Sequence, residues 1–127
     1  MQEPGPILTD KIIGLGIKVH RSLGPGLLES VYADCLTHEL RKAGLQVQRE
    51  VRIGLFYDGM TFEKSFIADA IVGDEVLLEL KSVENLLPVH EKQTRTYLRF
   101  TNCRLALLMN FGAPMLKDCL RRYIAAP

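Results

Sequence analysis

The chain has 127 residues, of which 47% are hydrophobic, and a formal net charge of +1. Its mean hydropathy is +0.07. These values exclude a disordered chain and predict one soluble domain over 1–127, with an ordered core at about 8–124. The near-neutral charge argues against a protein that coats nucleic acid nonspecifically.

The first residues contain neither a basic segment nor a long apolar segment, so we expect no signal peptide. No uncharged stretch approaches the length of a membrane span, and we expect no membrane contact. The three cysteines, Cys35, Cys103 and Cys119, have no metal-ligand spacing. They are typical of reduced thiols in a cytoplasmic protein.

Two helices are predicted at the start of the chain, at roughly 9–22 and 27–43, because apolar residues recur there at helical spacing. Thr9 can cap the first helix, and Gly44 is a natural stop for the second. Gly24-Pro25-Gly26 separates the two helices.

Strand-like runs dominate the rest of the chain, with turns predicted at Asp58-Gly59 and Gly73-Asp74. The runs cover roughly 47–53, 62–72, 75–83 and 104–111. A helix is predicted at 89–101, and the tail from Pro114 to Ile124 fits helix or strand. The order α-α-β-β-β-α-β-(α or β) predicts an α/β fold with a mixed sheet flanked by helices.

Two of these strands carry charge where a buried strand normally has none. Asp69 is the only charged residue in 66–72, and Glu79 and Lys81 share one face of the next strand. Because Asp69 and Glu79 are equally far from the turn at Asp74, we expect them to lie opposite each other. Two facing carboxylates repel, and a hard divalent cation relieves that repulsion. The alternative for Glu79 and Lys81 is an exposed ion pair that contributes little.

Three further polar residues are weaker candidates when taken alone. Glu29 lies in the first turn of the second helix, where acids are favoured by the helix dipole in any case. Gln93 and Tyr97 share a helix face by their i, i+4 spacing, which surface residues also show. A metal role for His20 or His90 is an alternative to ordinary hydrogen bonding within a helix.

Taken together, these residues resemble a known family. Gly26-Leu27-Leu28-Glu29-Ser30-Val31-Tyr32 matches the signature of the GxxExxY proteins, and the resemblance continues through Asp69, Glu79-Leu80-Lys81, Gln93 and Tyr97 over roughly 8–124. That family resembles the RecB-like branch of the PD-(D/E)xK nuclease superfamily. Ala68 replaces the proline of the superfamily's name, and Cys119-Leu120 departs from the expected pattern of the tail.

The resemblance implies a restriction-endonuclease-like core and a site built from named residues. Asp69 and Glu79 would be ligands of Mg²⁺ or Mn²⁺, and Lys81 would be the catalytic lysine. Glu29 would be the acid from the preceding helix that completes or supports the metal site. The backbone carbonyl of Leu80 would be another metal ligand. Gln93 and Tyr97 would orient Lys81 or contact a phosphate.

Two functions follow from these expectations. The first is a metal-dependent nuclease that hydrolyses phosphodiester bonds in DNA, favoured by the complete set Glu29, Asp69, Glu79 and Lys81. The alternative is a noncatalytic module for nucleic-acid binding or assembly, favoured by the near-neutral charge. We also expect a homodimer, since apolar strands offer surface to cover and cutting both strands often needs two sites.

Overall fold

A computed structural model describes residues 6–126, apart from the side chains of residues 6, 64 and 65. The helices are α1 Pro6–Leu23, α2 Glu29–Lys42 and α3 Pro88–Arg99. The strands are β1 Val47–Tyr57, β2 Met60–Val72, β3 Val76–Lys81, β4 Leu105–Asn110 and β5 Leu120–Ile124. The observed order therefore confirms the predicted succession of helices and strands.

The five strands form one mixed sheet in the order β1-β2-β3-β4-β5. Neighbouring strands are antiparallel except β3 and β4, which are parallel. A parallel pair needs a crossover connection, and α3 supplies it. The α/β class with a mixed central sheet is confirmed.

Helices cover both faces of the sheet. On one face, α1 and α2 pack Ile12, Leu36 and Leu40 into a core that includes Leu78 and Leu107. On the other face, α3 packs Leu98 into a smaller core with Ile53, Leu77 and Ala106. The central strands β3 and β4 are consequently buried on both faces, which explains their almost continuous apolar sequence.

The tail, whose sequence fits helix or strand, forms a short 3₁₀ turn at Leu116–Cys119 followed by β5. This strand pairs antiparallel with β4, with Leu107 opposite Arg122. Pairing satisfies the backbone groups along the outer side of β4, which a helix in this position would leave without ladder partners. None of the described helices is long and apolar enough to cross a membrane.

The alternation of side chains along β2 changes at Asp69. Ala70 belongs to the core beneath α1 and α2, whereas Ala68 belongs to the core beneath α3. Glu50 lies between the β1 residues that pair with these two alanines and has a positive φ of 50°. The two-residue period of a strand predicts that Ile67, Asp69 and Ile71 share one face. This prediction is wrong, because Ile71 lies in the core beneath α3 together with Ala68, the neighbour of Ile67 along the strand.

Candidate active site

Asp69 and Glu79 meet across β2 and β3, where they interrupt the regular strand pairing. The register pairs Ala70 with Leu78, which places Asp69 opposite Glu79. The N–H of Asp69 donates to Glu79 Oε1 at 3.3 Å. The N–H of Leu80 donates to Asp69 Oδ2 at 2.7 Å. The predicted proximity of the two carboxyl groups is therefore observed.

Burial disfavours charge on both carboxyl groups. The side chain of Glu79 lies in the core with a residue exposure of 5%, and burial followed by the charge of Asp69 raises its pKa to about 8. Burial also raises the pKa of Asp69, although the Leu80 N–H and the charge of Lys81 oppose that shift. Asp69 disfavours the ionised form of Glu79, whereas a hydrogen bond from Glu79 favours the ionised form of Asp69. The protein without metal therefore favours a pair that retains one proton near neutral pH.

Lys81 lies at the end of β3, two residues after Glu79. Its positive charge opposes the rise that burial causes in the pKa of Asp69 and of Glu79. Within the described part of the chain it makes no ion pair shorter than 4.0 Å. Its carbonyl accepts a hydrogen bond from the N–H of Phe111 at 2.8 Å, which fixes the backbone of the lysine while leaving its ammonium group available.

Glu29 is the first residue of α2 and reaches the segment that follows Lys81. Its Oε2 accepts a hydrogen bond from the N–H of Ser82 at 3.3 Å. The hydroxyl of Ser82 donates to the carbonyl of Leu27 at 2.6 Å. The charge of Glu29 also contributes to the raised pKa of Asp69. The structure thus brings Glu29 to the same edge of the sheet as the acid pair.

Tyr32 holds the glycine turn that precedes Glu29. Its hydroxyl donates to the carbonyl of Gly24 and accepts from the N–H of Leu27 at 3.1 Å. Its ring stacks on Phe111 with centroids 4.6 Å apart. In the sequence, Tyr32 is the tyrosine of the GxxExxY signature, but this clamp was not predicted for it. A tyrosine among core positions was the available signal, since its hydroxyl needs a partner when buried.

Asn110 was also missed as a site-building residue. It is fully buried at the end of β4, in register with Lys81. Its Oδ1 accepts from the N–H groups of Val83 and Gly112, both at 3.0 Å, and its Nδ2 donates to the Val83 carbonyl at 2.9 Å. A Cβ on Gly112 would lie 2.2 Å from the Val83 carbonyl oxygen, so only glycine fits. These contacts fix the chain just after Lys81.

Tyr97 lies on the side of α3 that faces the acid pair. Its pKa is raised by burial and then by the charges of Glu79 and Asp69. Its ring packs against Phe66 with centroids 5.0 Å apart. Gln93, one turn earlier, is exposed, and its predicted contact with Lys81 remains a prediction.

Both candidate histidines have backbone partners. The Nε2 atom of His20 lies 2.8 Å from the Ala113 carbonyl oxygen. The Nδ1 atom of His90 accepts from the N–H of Leu87 at 3.0 Å, which caps the start of α3. These contacts favour the structural alternative for both residues.

The acid pair offers the oxygen ligands that a hard cation prefers. Within 6–126, no three His, Cys, Asp or Glu side chains form a group that could hold a metal ion by themselves. Mg²⁺ does not require such a group, because it usually keeps several waters and binds one or two carboxylates. The raised pKa values of Asp69 and Glu79 also fit a cation site, since a nearby positive charge would stabilise both ionised forms.

Comparison with known proteins gives one match. The family model described as the PD-(D/E)XK nuclease superfamily matches residues 7–123. No curated protein and no solved structure matches the chain significantly. The matched range begins within α1, includes α2 and α3 and ends within β5, so it covers every residue of the candidate site.

Proposed function

The chain belongs to the PD-(D/E)XK nuclease superfamily, and from that membership we propose that it hydrolyses phosphodiester bonds of DNA with Mg²⁺ or Mn²⁺. The observation that carries the proposal is the coupled pair of Asp69 and Glu79 with Lys81 on the same strand. Assignment to the GxxExxY branch is part of the proposal, supported by the contacts of Glu29 and Tyr32.

In this proposal, Asp69, Glu79 and the Leu80 carbonyl hold the cation. Glu29 adds a negative charge at the edge of the site and anchors the chain after Lys81 through Ser82. A bound divalent cation supplies an acidified water and neutralises charge on the phosphate. The two carboxyl groups must lose their shared proton to bind it, so binding is expected to weaken as the pH falls.

Lys81 acts on the attacking water or on the phosphate in this proposal. Its ammonium group is positioned by β3 and has no ion-pair partner among the described residues. It can orient the attacking water or stabilise negative charge that develops on the phosphate. Tyr97 and Gln93 would support Lys81 or the phosphate from α3.

The proposal includes a homodimer, for which the β1–β2 hairpin offers a surface. Its tip exposes Phe56, Tyr57 and Met60 at 71%, 69% and 61%. Exposed apolar side chains of this kind favour contact with a second copy or another partner. Light scattering at micromolar concentration tests this part, and a species of only 14.3 kDa would contradict it.

The decisive test of the function is a cleavage assay. Purified protein would be incubated with labelled single-stranded DNA, duplex DNA and RNA in Mg²⁺, Mn²⁺ or EDTA. Lys81→Ala protein prepared in the same way controls for contaminating nucleases. We expect DNA to be cleaved only when the metal is added and Lys81 is present. Binding of DNA without cleavage under every condition would favour the noncatalytic alternative.

A further inference from the structure

A groove outside the acidic site is lined by arginines. It has a volume of about 680 Å³ and lies between the second half of α3, the loop that follows it and β5. Arg95, Arg99 and Arg122 line it, and no Asp or Glu does. Arg122 borders the groove from β5, but it pairs opposite Leu107, which belongs to the core on the other face of the sheet. The two arginines of α3 therefore supply the positive charge of the groove.

Two of these arginines are held by aromatic rings. The guanidinium carbon of Arg95 lies 4.9 Å from the ring centroid of Tyr123, and that of Arg99 lies 5.0 Å from the ring centroid of Phe100. Stacking orients the flat guanidinium group while leaving its N–H groups free to bind an acceptor. The arginines are therefore partly preorganised, which lowers the entropy cost of binding an anion.

The nearest acid on α3 forms no ion pair with Arg95. Glu91 lies one turn earlier and accepts a hydrogen bond from the Tyr123 hydroxyl at 2.7 Å. Within the described residues, neither Arg95 nor Arg99 makes an ion pair shorter than 4.0 Å. Both side chains are exposed, so their charge is available to a ligand.

We propose that this groove binds the phosphodiester backbone of a nucleic acid, as a second contact for the substrate of the acidic site. This inference rests on the proposed function for its ligand. Arg95 and Arg99 lie four residues apart, about 6 Å along the helix, and phosphates recur every ~3.4 Å of rise along a DNA strand. Both arginines are therefore within reach of phosphates on neighbouring nucleotides, and Asn102 adds a hydrogen-bonding side chain.

The groove and the acid pair lie on opposite sides of α3. Tyr97 packs against Phe66 of β2, where burial and then the charge of Glu79 raise the pKa of its phenol. Arg95 instead stacks over Tyr123 of β5. A helix with side chains is about 10–12 Å wide. A strand that contacts both places therefore has to span at least about three nucleotides, so the groove adds affinity only for longer substrates.

Anisotropy with a labelled 20-base-pair duplex in EDTA tests the inference without cleavage. Arg95→Gln/Arg99→Gln should weaken binding about tenfold or more at low salt. It should also reduce the slope of log affinity against log salt by about 1.8, which is 0.9 for each lost phosphate contact. Arg95→Lys/Arg99→Lys keeps the charge and should retain most of the slope. Lys11→Gln/Lys42→Gln removes the same charge from the helices on the opposite face and is the matched control.

The outcomes separate this inference from the nuclease proposal. The groove would be overturned if Arg95→Gln/Arg99→Gln bound DNA with the same affinity and salt slope as the control Lys11→Gln/Lys42→Gln. That result would leave metal-dependent cleavage untouched. Displacement of the duplex by polyglutamate as effectively as by unlabelled DNA would also overturn it, because the groove would then bind any polyanion. Arginine-dependent binding in EDTA, together with no cleavage when Mg²⁺ or Mn²⁺ is supplied, would support the groove and contradict the nuclease. Unchanged melting temperatures of the variants show that the fold is intact.

Discussion

Asp69 and Glu79 are joined by reciprocal contacts between backbone and carboxyl groups. The N–H of Asp69 donates to Glu79, and the N–H that follows Glu79 donates to Asp69. In a regular antiparallel pair these N–H groups would donate to carbonyls of a neighbouring strand. Here they hold two carboxyl groups at the edge of the core, next to Lys81.

Asp69→Asn should abolish the binding of Mn²⁺ measured by calorimetry while leaving the fold intact. The amide keeps the shape of the side chain and one acceptor oxygen, but it removes the negative charge that a cation needs. Asp10→Asn is the matched control, because Asp10 is exposed on α1. Normal Mn²⁺ binding by the Asp69 variant would refute the metal assignment.

The stability of the metal-free protein should fall as the pH rises from about 5 to 8. The folded-state pKa of Glu79 is about 8, above its ordinary value of 4.5. The neutral form is therefore favoured in the fold, and its contribution is fully present below the ordinary pKa and lost as the pH rises through about 8. The slope is at most about 1.4 kcal/mol of unfolding free energy per pH unit for one proton.

Glu79→Gln isolates this effect in urea denaturation at several pH values. The glutamine side chain does not titrate, so the variant should show a flatter dependence on pH than the wild type. Glu84→Gln, at an exposed position, should behave like the wild type. Added Mn²⁺ should stabilise the wild type at pH 8 more than the Glu79 variant. Parallel pH profiles for wild type and Glu79→Gln would contradict the prediction.

Lys81→Ala should lower the nuclease rate by about 10²-fold or more, the range for losing a positioned acid–base or charge-stabilising group. Metal binding should remain near normal, because the ammonium group is not a metal ligand. Lys42→Ala, on the surface of α2, is the control for general charge loss. A fully active Lys81→Ala protein would remove this residue from the chemistry.

Tyr32→Phe should lower the free energy of unfolding by about 1–3 kcal/mol, the cost of leaving buried hydrogen-bonding groups unsatisfied. The phenylalanine ring retains the stacking on Phe111, so only the contacts to Gly24 and Leu27 are lost. The turn before Glu29 should then loosen and reduce cleavage as well. Tyr57→Phe is the matched control, since Tyr57 is 69% exposed on the β1–β2 hairpin. An unchanged melting temperature of Tyr32→Phe would show that the clamp does not contribute to stability.

Tyr97→Phe should reduce cleavage with little change in melting temperature. The ring keeps its contact with Phe66, and only the hydroxyl on the acid-pair side is removed. If this hydroxyl acts through Lys81 or its phosphate, the effects of Tyr97→Phe and Lys81→Ala should be non-additive, since groups in one network couple. Additive losses would place Tyr97 outside that network. Gln93→Ala tests the neighbouring turn of α3 in the same assay.

Much of the frame was predictable because local patterns decide it. Apolar periodicity and glycine turns gave the helices and strands to within a few residues. The equal distances of Asp69 and Glu79 from the Gly73-Asp74 turn predicted their pairing, since a short turn fixes the register of a hairpin. Two ionisable groups on the apolar β3 likewise indicated a functional site, because burying them without a role costs free energy.

The sequence by itself thus determined the order of elements and the acid pair, both of which depend on neighbours along the chain. Tertiary structure decided the tail, whose pattern fits helix or strand until β4 offers an edge to pair with. It also decided the contact of Glu29 with Ser82, 53 residues away, and the clamp of Asn110 on Val83, 27 residues away. The arginine groove likewise exists only because α3 and β5 pack side by side. Such contacts depend on how helices pack on the sheet, and no local periodicity encodes them.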